Sequence, residues 1–229
     1  MTIDLLDKYN TKLAQVGLAL SQEEKGLCLT DGKLSIMADF NEMLPRIKQS
    51  NLQKEMLIKA ARIKGHDMPQ TLVDATAGFG DDSLILAAAG FNVTMFEMNE
   101  IIAVLLQDAL ERARESKELA KIVARMNLIC CDSTVGLREL DFKPDVVLLD
   151  PMFPARQKSA LIKKKFQLIQ KLESPCSTES QLLDAAKAAC PKRIVIKRPL
   201  KGPYLANEKP SYSLSGKAIR YDCLVFARD

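Results

Sequence analysis

The fold is decided by the stretch VDATAGFGDDS at residues 73–83. An apolar run, residues 71–73, leads into it, and a helical pattern, residues 83–89, follows it. This order predicts a β-strand, a glycine turn and an α-helix. Gly78 and Gly80 allow a tight turn, and their missing side chains let a ligand approach the backbone closely. The N–H groups at the start of the helix add a polar edge that a ligand can use.

Two kinds of cofactor fit this loop. A dinucleotide-binding fingerprint requires G-x-G-x-x-G/A, but the third position here is Ser83. Asp74, four residues before Gly78, instead fits the D/E-x-x-x-G-x-G loop of Rossmann-like methyltransferases. Their cofactor, S-adenosylmethionine, carries a sulfonium and an ammonium, which the carboxylates of Asp74, Asp81 and Asp82 would attract. Taken alone, the loop is also consistent with an ordinary βα turn with an acidic N-cap, a position where Asp is favoured in any helix.

Composition indicates a globular protein with reduced cysteines. The 229 residues are 47% hydrophobic and 27% charged, and the net charge of +4 is too small to establish a nucleic-acid partner. Six cysteines without a C-x-x-C pair, and a single histidine, His66, argue against a disulfide framework or a metal site. The N-terminus lacks a basic segment followed by an apolar one, so we expect a cytoplasmic protein that does not enter a membrane.

Apolar runs alternate with helical patterns after the glycine loop, which predicts a parallel α/β sheet. The predicted strands are residues 71–73, 91–97, a stretch within 122–131, 145–149 and 193–197. A turn at Ser215-Gly216 then leads into residues 219–226, which should close an antiparallel pair. Helical patterns cover residues 83–89 and 101–110, and Thr178 with Gln181 forms a capping box for a helix through residue 186.

Residues 1–65 are predicted to form a small α+β extension in front of a domain of residues 66–229. Asp31-Gly32 between two apolar runs indicates a hairpin with a type I′ turn. Leu52, Met56, Leu57, Ala60 and Ala61 recur at helical spacing, which predicts one helix that ends near Gly65. A lid, a substrate-binding module and a packing extension are all consistent with this segment.

Four acidic residues are expected at the carboxyl ends of strands, where ligands of such sheets bind: Asp74, Glu97, Asp132 and Asp150. Glu97 is placed to accept both ribose hydroxyls of either candidate cofactor. Asp132 and Ser133 could contact an adenine amino group. Each acid by itself could be a helix cap, but four at one edge favour a cofactor site.

The motif Asp150-Pro151-Met152-Phe153 favours S-adenosylmethionine over a dinucleotide as the cofactor. It resembles the [D/N]-P-P-[F/Y] motif of methyltransferases that modify an amino nitrogen on a planar group, with Met152 at the second proline. Such an amine is a poor nucleophile because its lone pair is delocalised. Asp150 and the Pro151 carbonyl can accept its N–H bonds and redirect the lone pair, while Phe153 stacks on an extruded base. We therefore predict catalytic roles for these three residues. Asp-Pro is also a common strand end, and Phe153 could belong to the core.

Two runs of basic residues follow this motif. RNA phosphates are the predicted partners of Arg156, Lys158, Lys163, Lys164, Lys165, Lys197 and Arg198. No acid lies between Ala155 and Leu172, so the first run forms a concentrated positive segment. A solvated basic helix face is the alternative.

The assembled residues resemble the ribosomal RNA small subunit methyltransferase J family. The resemblance spans about residues 26–226 and is carried by VDATAGFG at 73–80, LDPMFP at 149–154 with QKSAL at 157–161, and KRP at 197–199. It implies a Rossmann-like class I methyltransferase with a mostly parallel seven-stranded sheet and an antiparallel C-terminal strand. The implied reaction is S-adenosylmethionine-dependent methylation of a guanine N2 in 16S ribosomal RNA, as RNA or in the 30S subunit.

The same resemblance implies which residues contact the cofactor. They are Asp81-Asp82, Glu97-Met98, Asp132-Ser133 and Asp150, beside Asp74, Gly78 and Gly80 of the loop. The chain departs from the family at Asp81, where arginine is usual, at Met98, where arginine or a similar residue is usual, and at residues 45–55, where the family is usually rich in arginine and glycine. Two other functions stay open: methylation of another amino group, such as adenine N6 or a protein glutamine, and RNA binding without catalysis. An NAD-dependent dehydrogenase is disfavoured by Ser83 and by the lack of a Tyr-x-x-x-Lys motif.

Overall fold

The computed structural model describes residues 3–151, 168–169, 171–172 and 179–226. Several residues singled out above lie outside these ranges: Met152, Phe153, Arg156, Lys158, Lys163, Lys164, Lys165 and Thr178. The predictions made for them therefore stay predictions.

The N-terminal segment begins with helix α1 (Ile3–Leu13) and continues into a three-stranded antiparallel sheet of β1 (Ala19–Glu23), β2 (Gly26–Thr30) and β3 (Ser35–Ile36). This confirms the predicted hairpin, but the type I′ turn is wrong. Thr30 pairs with Ser35, so residues 31–34 form a longer loop in which only Gly32 has a positive φ, +83°. The carboxylate of Asp31 accepts the N–H groups of Lys33 and Leu34 at 2.9 and 2.8 Å and closes the loop itself.

Three short helices follow: α2 (Leu44–Ile47), α3 (Gln49–Leu52) and α4 (Met56–Ala61). The prediction of one helix through residues 52–61 is wrong, because the backbone is extended at Glu55, with φ −64° and ψ 121°. Glu55 accepts two hydrogen bonds from the Arg46 guanidinium, at 2.6 and 3.0 Å, which stabilise this corner. The helical spacing nevertheless identified buried residues, because apolar side chains of α3 and α4 pack in the core against the central sheet.

The central sheet has seven strands. They are β4 (Thr71–Asp74), β5 (Asn92–Glu97), β6 (Met126–Cys130), β7 (Val146–Leu149), β8 (Arg193–Pro199), β9 (Tyr212–Ser215) and β10 (Ile219–Val225), in the spatial order β6-β5-β4-β7-β8-β10-β9. Strands β4 to β8 are parallel, and β10 pairs antiparallel with both β8 and β9. The predicted fold class is confirmed.

Helices cover both faces of this sheet. They are α5 (Asp81–Ala88), α6 (Glu100–Arg114), α7 (Ala120–Val123), α8 (Ser133–Gly136) and α9 (Glu179–Ala188). Every residue of β7 is buried, and alternate side chains belong to two different cores: Leu148 packs with the α5 side, Val147 and Leu149 with the α9 side. This two-sided burial explains the continuous apolar run of β7.

The parallel strands bring their carboxyl ends to one edge of the sheet. Asp74 ends β4, Glu97 ends β5, and Asp150 follows β7 directly. Residues 38–61 share a core with this sheet, so the domain boundary near residue 65 remains a prediction. Across the described ranges, none of the helices combines the length and the apolar character needed to cross a bilayer.

Candidate active site

The glycine loop between β4 and α5 is held by backbone contacts. The Gly80 N–H donates to the Ala77 carbonyl at 2.8 Å, and the Ala77 N–H donates to the Phe96 carbonyl at 3.1 Å. A Cβ on Gly80 (φ +79°) would lie 2.8 Å from the Leu106 side chain, whereas a Cβ on Gly78 (φ +55°) would meet nothing within 4 Å. Packing therefore requires glycine at position 80, while Gly78 leaves open space into which a ligand can approach the backbone.

Asp74 organises this loop from inside the protein. Its side chain is buried and accepts hydrogen bonds from the Ser83 hydroxyl at 2.6 Å and from the Thr76 N–H at 3.1 Å. Burial raises the pKa of Asp74 to about 7; the Asp82 and Asp150 charges act in the same direction, and the two hydrogen bonds oppose it. Ser83, the residue that breaks the dinucleotide fingerprint, thus ties α5 to the end of β4.

Glu97 connects the glycine loop to β5. One carboxylate oxygen accepts the Gly78 N–H at 2.9 Å, and the other accepts the Asn99 N–H at 2.8 Å. Burial raises the pKa of Glu97, and the backbone hydrogen bonds oppose that shift. Met98, the next residue, is 70% exposed. This edge therefore combines a fixed carboxylate with an accessible apolar side chain beside the open space at Gly78.

Asp132 and Ser133 lie at the start of α8. The Asp132 carboxylate accepts the backbone N–H and the hydroxyl of Thr134, both at 2.8 Å, so Asp132 is a helix cap. Asp81 begins α5 and lines a small recess of about 60 Å³ with Asp39, Glu42 and Phe79. Asp81 and Asp132 thus both follow the glycine loop in sequence, and each lies at the N-terminal end of a helix.

Three elements meet at Lys197. Its ammonium lies 2.6 Å from the Asp82 carboxylate of α5 and 2.9 Å from the Asp150 carboxylate after β7. Burial alone would lower the pKa of Lys197, but the charges of Asp82 and Asp150 outweigh it and raise that pKa. The Asp150 N–H also donates to the Thr76 hydroxyl at 2.7 Å, and Pro151 is buried. Asp150 is therefore fixed to the glycine loop by its backbone and by its side chain.

The positions of Lys197 and Arg198 revise the predicted RNA contacts. Only 1% of Arg198 is exposed, and its guanidinium donates to the Pro203 carbonyl at 2.9 Å and to the Glu179 carboxylate at 3.1 Å. This burial contradicts the prediction that Arg198 binds RNA phosphates. Successive side chains of a strand point to opposite faces, so the two adjacent cations of β8 have separate surroundings. Lys197 faces the carboxylates of the site, a role that sequence reasoning missed.

The geometry of the sheet and its loop indicates the class of protein. An open, mostly parallel sheet with a glycine loop after its central strand, open space at Gly78 and carboxylates at neighbouring strand ends fits S-adenosylmethionine, and the protein is a Rossmann-like methyltransferase that uses this cofactor. The family model described as "Putative SAM-dependent methyltransferase" matches residues 4–226. Within this class, the chain belongs to the ribosomal RNA small subunit methyltransferase J family.

Two relatives carry the family assignment, and a solved structure supports the class. The proteins named ribosomal RNA small subunit methyltransferase J from Thioalkalivibrio sulfidiphilus and Tolumonas auensis are 36% and 38% identical to the chain. The first alignment covers 97% of this chain and 94% of the relative, the second 98% and 93%. A crystal structure of a SAM-dependent methyltransferase from Neisseria gonorrhoeae has 32% identity and a TM-score of 0.75, covering 93% of this chain and 85% of that one. The predicted family, fold class and cofactor are confirmed.

Proposed function

We propose that this protein methylates the exocyclic N2 amine of a guanosine in 16S ribosomal RNA. The observation that carries the proposal is the Asp150 carboxylate, held 2.9 Å from the Lys197 ammonium at the carboxyl edge of the sheet and tied to the glycine loop through Thr76. The names of the relatives, which specify small-subunit ribosomal RNA, support RNA as the substrate. Because that substrate belongs to the ribosome, we infer that the protein acts in the cytoplasm, on free RNA or on the 30S subunit.

Asp150 supplies what an aromatic amine needs from a protein. The lone pair of such an amine is delocalised into its ring, so orientation of the N–H bonds decides whether the nitrogen can attack. A carboxylate has about four acceptor positions, so one Asp150 side chain can hold a cation and also accept an N–H bond. Asp150 and the Pro151 carbonyl accept the N–H bonds in this proposal, and Phe153 stacks on the base. Correct placement contributes more than a strong base, since the methylated amine is acidic while it is cationic.

Lys197 is a positioning residue in this scheme. Its ammonium neutralises the carboxylates of Asp82 and Asp150, which would otherwise repel one another at a partly buried edge. It also joins the start of α5, which borders the cofactor loop, to the residue that holds the substrate amine. This side chain therefore contributes to the relative placement of the two reaction partners, beside the backbone hydrogen bond from Asp150 to Thr76.

The residues that would hold the cofactor lie in and after the glycine loop and at the carboxyl ends of β5, β6 and β7. They are the loop backbone at Gly78 and Gly80, Glu97 with Met98, Asp132 with Ser133, and Asp81, Asp82 and Asp150, while Asp74 acts through Ser83. When bound, S-adenosylmethionine supplies an electrophilic methyl group. Arg156, Lys158 and Lys163 to Lys165 would bind phosphates of the RNA, and residues 1–65 would form the predicted extension.

Transfer of labelled methyl groups tests the proposal. Small-subunit RNA and assembled 30S subunits from cells that lack this methyltransferase would be incubated with the protein and labelled cofactor, digested to nucleosides and analysed by mass spectrometry. We expect the label in N2-methylguanosine. Label in N6-methyladenosine would show that the methylated amine belongs to adenine and not to guanine. No label in either RNA form, from protein shown to bind the cofactor, would rule out this RNA as the substrate.

Replacement of Asp150 tests the chemical role. We expect Asp150→Ala to lower kcat at least about 100-fold, because the amine loses its orientation, while the protein stays folded. Asp145 is a matched control at the other end of β7, where it pairs with Lys192 at 2.8 Å. Asp145→Ala should lower thermal stability and leave kcat nearly unchanged. Wild-type kcat for folded Asp150→Ala would refute the proposed orientation of the amine.

A further inference from the structure

A second cleft opens at the edge of the sheet that carries Asp150. It has a volume of about 370 Å³ and is lined by Lys201, Tyr204, Ser213, Ser215 and Arg220, among others. Its position follows from the strand register: β8 ends at Pro199 opposite Ile219, and Arg220 at the start of β10 pairs with Ser215 at the end of β9. This volume falls in the range of small-ligand sites.

One wall of the cleft is fixed in place by Arg220. The guanidinium is buried and donates to the carbonyls of Leu200 at 2.8 Å and Gly202 at 2.9 Å. Asp222 balances its charge, with both carboxylate oxygens within 3.0 Å of Nε. The loop after β8 therefore has its shape without a ligand, and a preorganised site loses less conformational freedom on binding.

The groups that face the cleft form a consistent set. Tyr204 is 41% exposed, and Arg220 lies 5.0 Å from the centroid of its ring, which supports one face of the ring. Ser213 and Ser215 are exposed on the same face of β9, while Leu214 between them is half-buried. The Ser213 hydroxyl donates to Asp222 at 2.6 Å, so its oxygen faces the cleft as an acceptor. Lys201 adds an exposed ammonium. An aromatic ring, hydroxyls and a cation are the groups that bind a base, polar edges and a phosphate of single-stranded RNA.

The position of the cleft separates it from the methylation centre. Strand β10 is two strands away from β7, which at about 4.8 Å per strand places the cleft about 10 Å from Asp150. We propose that this cleft binds a nucleotide of the RNA substrate close to the one that is methylated. The inference rests on the proposed function, in which the target guanine occupies the site at Asp150. Tyr204 stacks on the neighbouring base, and Lys201 binds its phosphate.

Variants of Tyr204 test the stacking contact. Affinity for labelled small-subunit RNA would be measured directly, without methyl transfer, alongside steady-state kinetics. Tyr204→Ala should weaken RNA binding about 5- to 100-fold and raise the KM for RNA, with kcat and cofactor affinity nearly unchanged, and Tyr204→Phe should bind like the wild type. Tyr212 is the matched control, since it is 36% exposed at the other end of β9 and has a guanidinium, that of Arg193, 5.8 Å from its ring. Tyr212→Ala should leave RNA binding unchanged.

Two further measurements test RNA binding in the cleft independently of methylation at Asp150. Lys201→Gln should reduce the slope of log affinity against log salt by about 0.7, the value for one phosphate contact on a single strand. Ultraviolet cross-linking of the wild-type protein to the RNA should yield a peptide that contains Tyr204. Wild-type affinity in Tyr204→Ala, or cross-links confined to residues outside 200–215, would refute nucleotide binding in the cleft. Either result would leave the proposed methylation at Asp150 unaffected. Failure of the wild type to bind small-subunit RNA would overturn both.

Discussion

The ammonium of Lys197 lies 2.9 Å from the carboxylate of Asp150, and the same nitrogen lies 2.6 Å from Asp82. The contact links β8, β7 and α5 at the edge where the cofactor loop and the amine-binding motif meet. Because Lys197 pairs with both Asp82 and Asp150, its loss would remove the ion pair that orients the Asp150 side chain without removing any group that contacts the amine.

Lys197→Met should therefore lower kcat about 10- to 100-fold and change the KM for the cofactor little, since misplacement of the amine by a fraction of an ångström is costly. Lys197→Arg should recover part of the rate because it keeps the charge. The control is Lys192→Met. Lys192 directly precedes β8, at the edge of the sheet opposite to Asp150, and pairs with Asp145 at 2.8 Å with a side-chain exposure similar to that of Lys197. That variant should keep its kcat. Wild-type kcat in folded Lys197→Met would show that Asp150 needs no such support.

The two glycines of the loop should respond differently to alanine. Both have positive φ, so each substitution costs about 1–2 kcal/mol of backbone strain. Gly80→Ala adds a clash with Leu106 at 2.8 Å and should have the larger loss of thermal stability. Gly78→Ala places its methyl group in open space, so cofactor affinity, measured by calorimetry, should fall more than stability does. Equal cofactor affinity in Gly78→Ala and the wild type would show that the cofactor does not approach this position.

Asp74 should make the stability of the cofactor-free protein depend on pH. Its pKa rises from 3.8 to about 7 in the folded protein, so between these values the folded state keeps a proton that the unfolded state releases. The free energy of unfolding should then fall as pH rises from 4 to 7, by up to about 1.4 kcal/mol per pH unit from this group, and level off above 7. Asp74→Asn removes this contribution.

Urea denaturation of the wild type and Asp74→Asn at pH 5, 6, 7 and 8 measures the effect. Glu97 contributes in the same direction in both proteins, because burial also raises its pKa, so the difference between the two curves isolates Asp74. The variant should gain stability relative to the wild type as the pH rises. Parallel curves would mean that Asp74 is not buried as a protonated acid.

The lysine run after the amine motif should contribute charge to RNA binding. Replacing Lys163, Lys164 and Lys165 by alanine together should weaken affinity and reduce the salt slope by about 2, the sum expected for three phosphate contacts on a single strand. A matched triple variant replaces Lys117, Lys121 and Lys143 by alanine. These exposed residues precede β6 and β7 and so lie toward the edge of the sheet opposite to Asp150. It should keep the wild-type slope. Identical salt slopes in the two triple variants would mean that Lys163, Lys164 and Lys165 form a solvated surface and do not contact RNA phosphates.

Much of the fold was predictable because the relevant signals are local. Alternating apolar runs and helical patterns identified the parallel strands, and the glycine loop identified the turn before α5. Boundaries were less accurate where a side chain competes with the backbone. Asp31 closes a longer hairpin loop through its own carboxylate, and Arg46 holds Glu55 in an extended corner that divides a predicted helix. Helical spacing reports which residues are buried, but burial is compatible with a broken helix.

By itself, the sequence determined the class of protein, the cofactor loop and the acids at the strand ends, since each depends on residues close together in the chain. Only the tertiary structure decided which contacts Lys197, Arg198 and Ser83 make. Lys197 and Arg198 are neighbours in a basic run, yet one joins two carboxylates of the site and the other is buried against Glu179. Lys197 meets Asp82 across a separation of 115 residues. Such a contact depends on the order and register of the strands, which local patterns of hydrophobicity and charge do not specify.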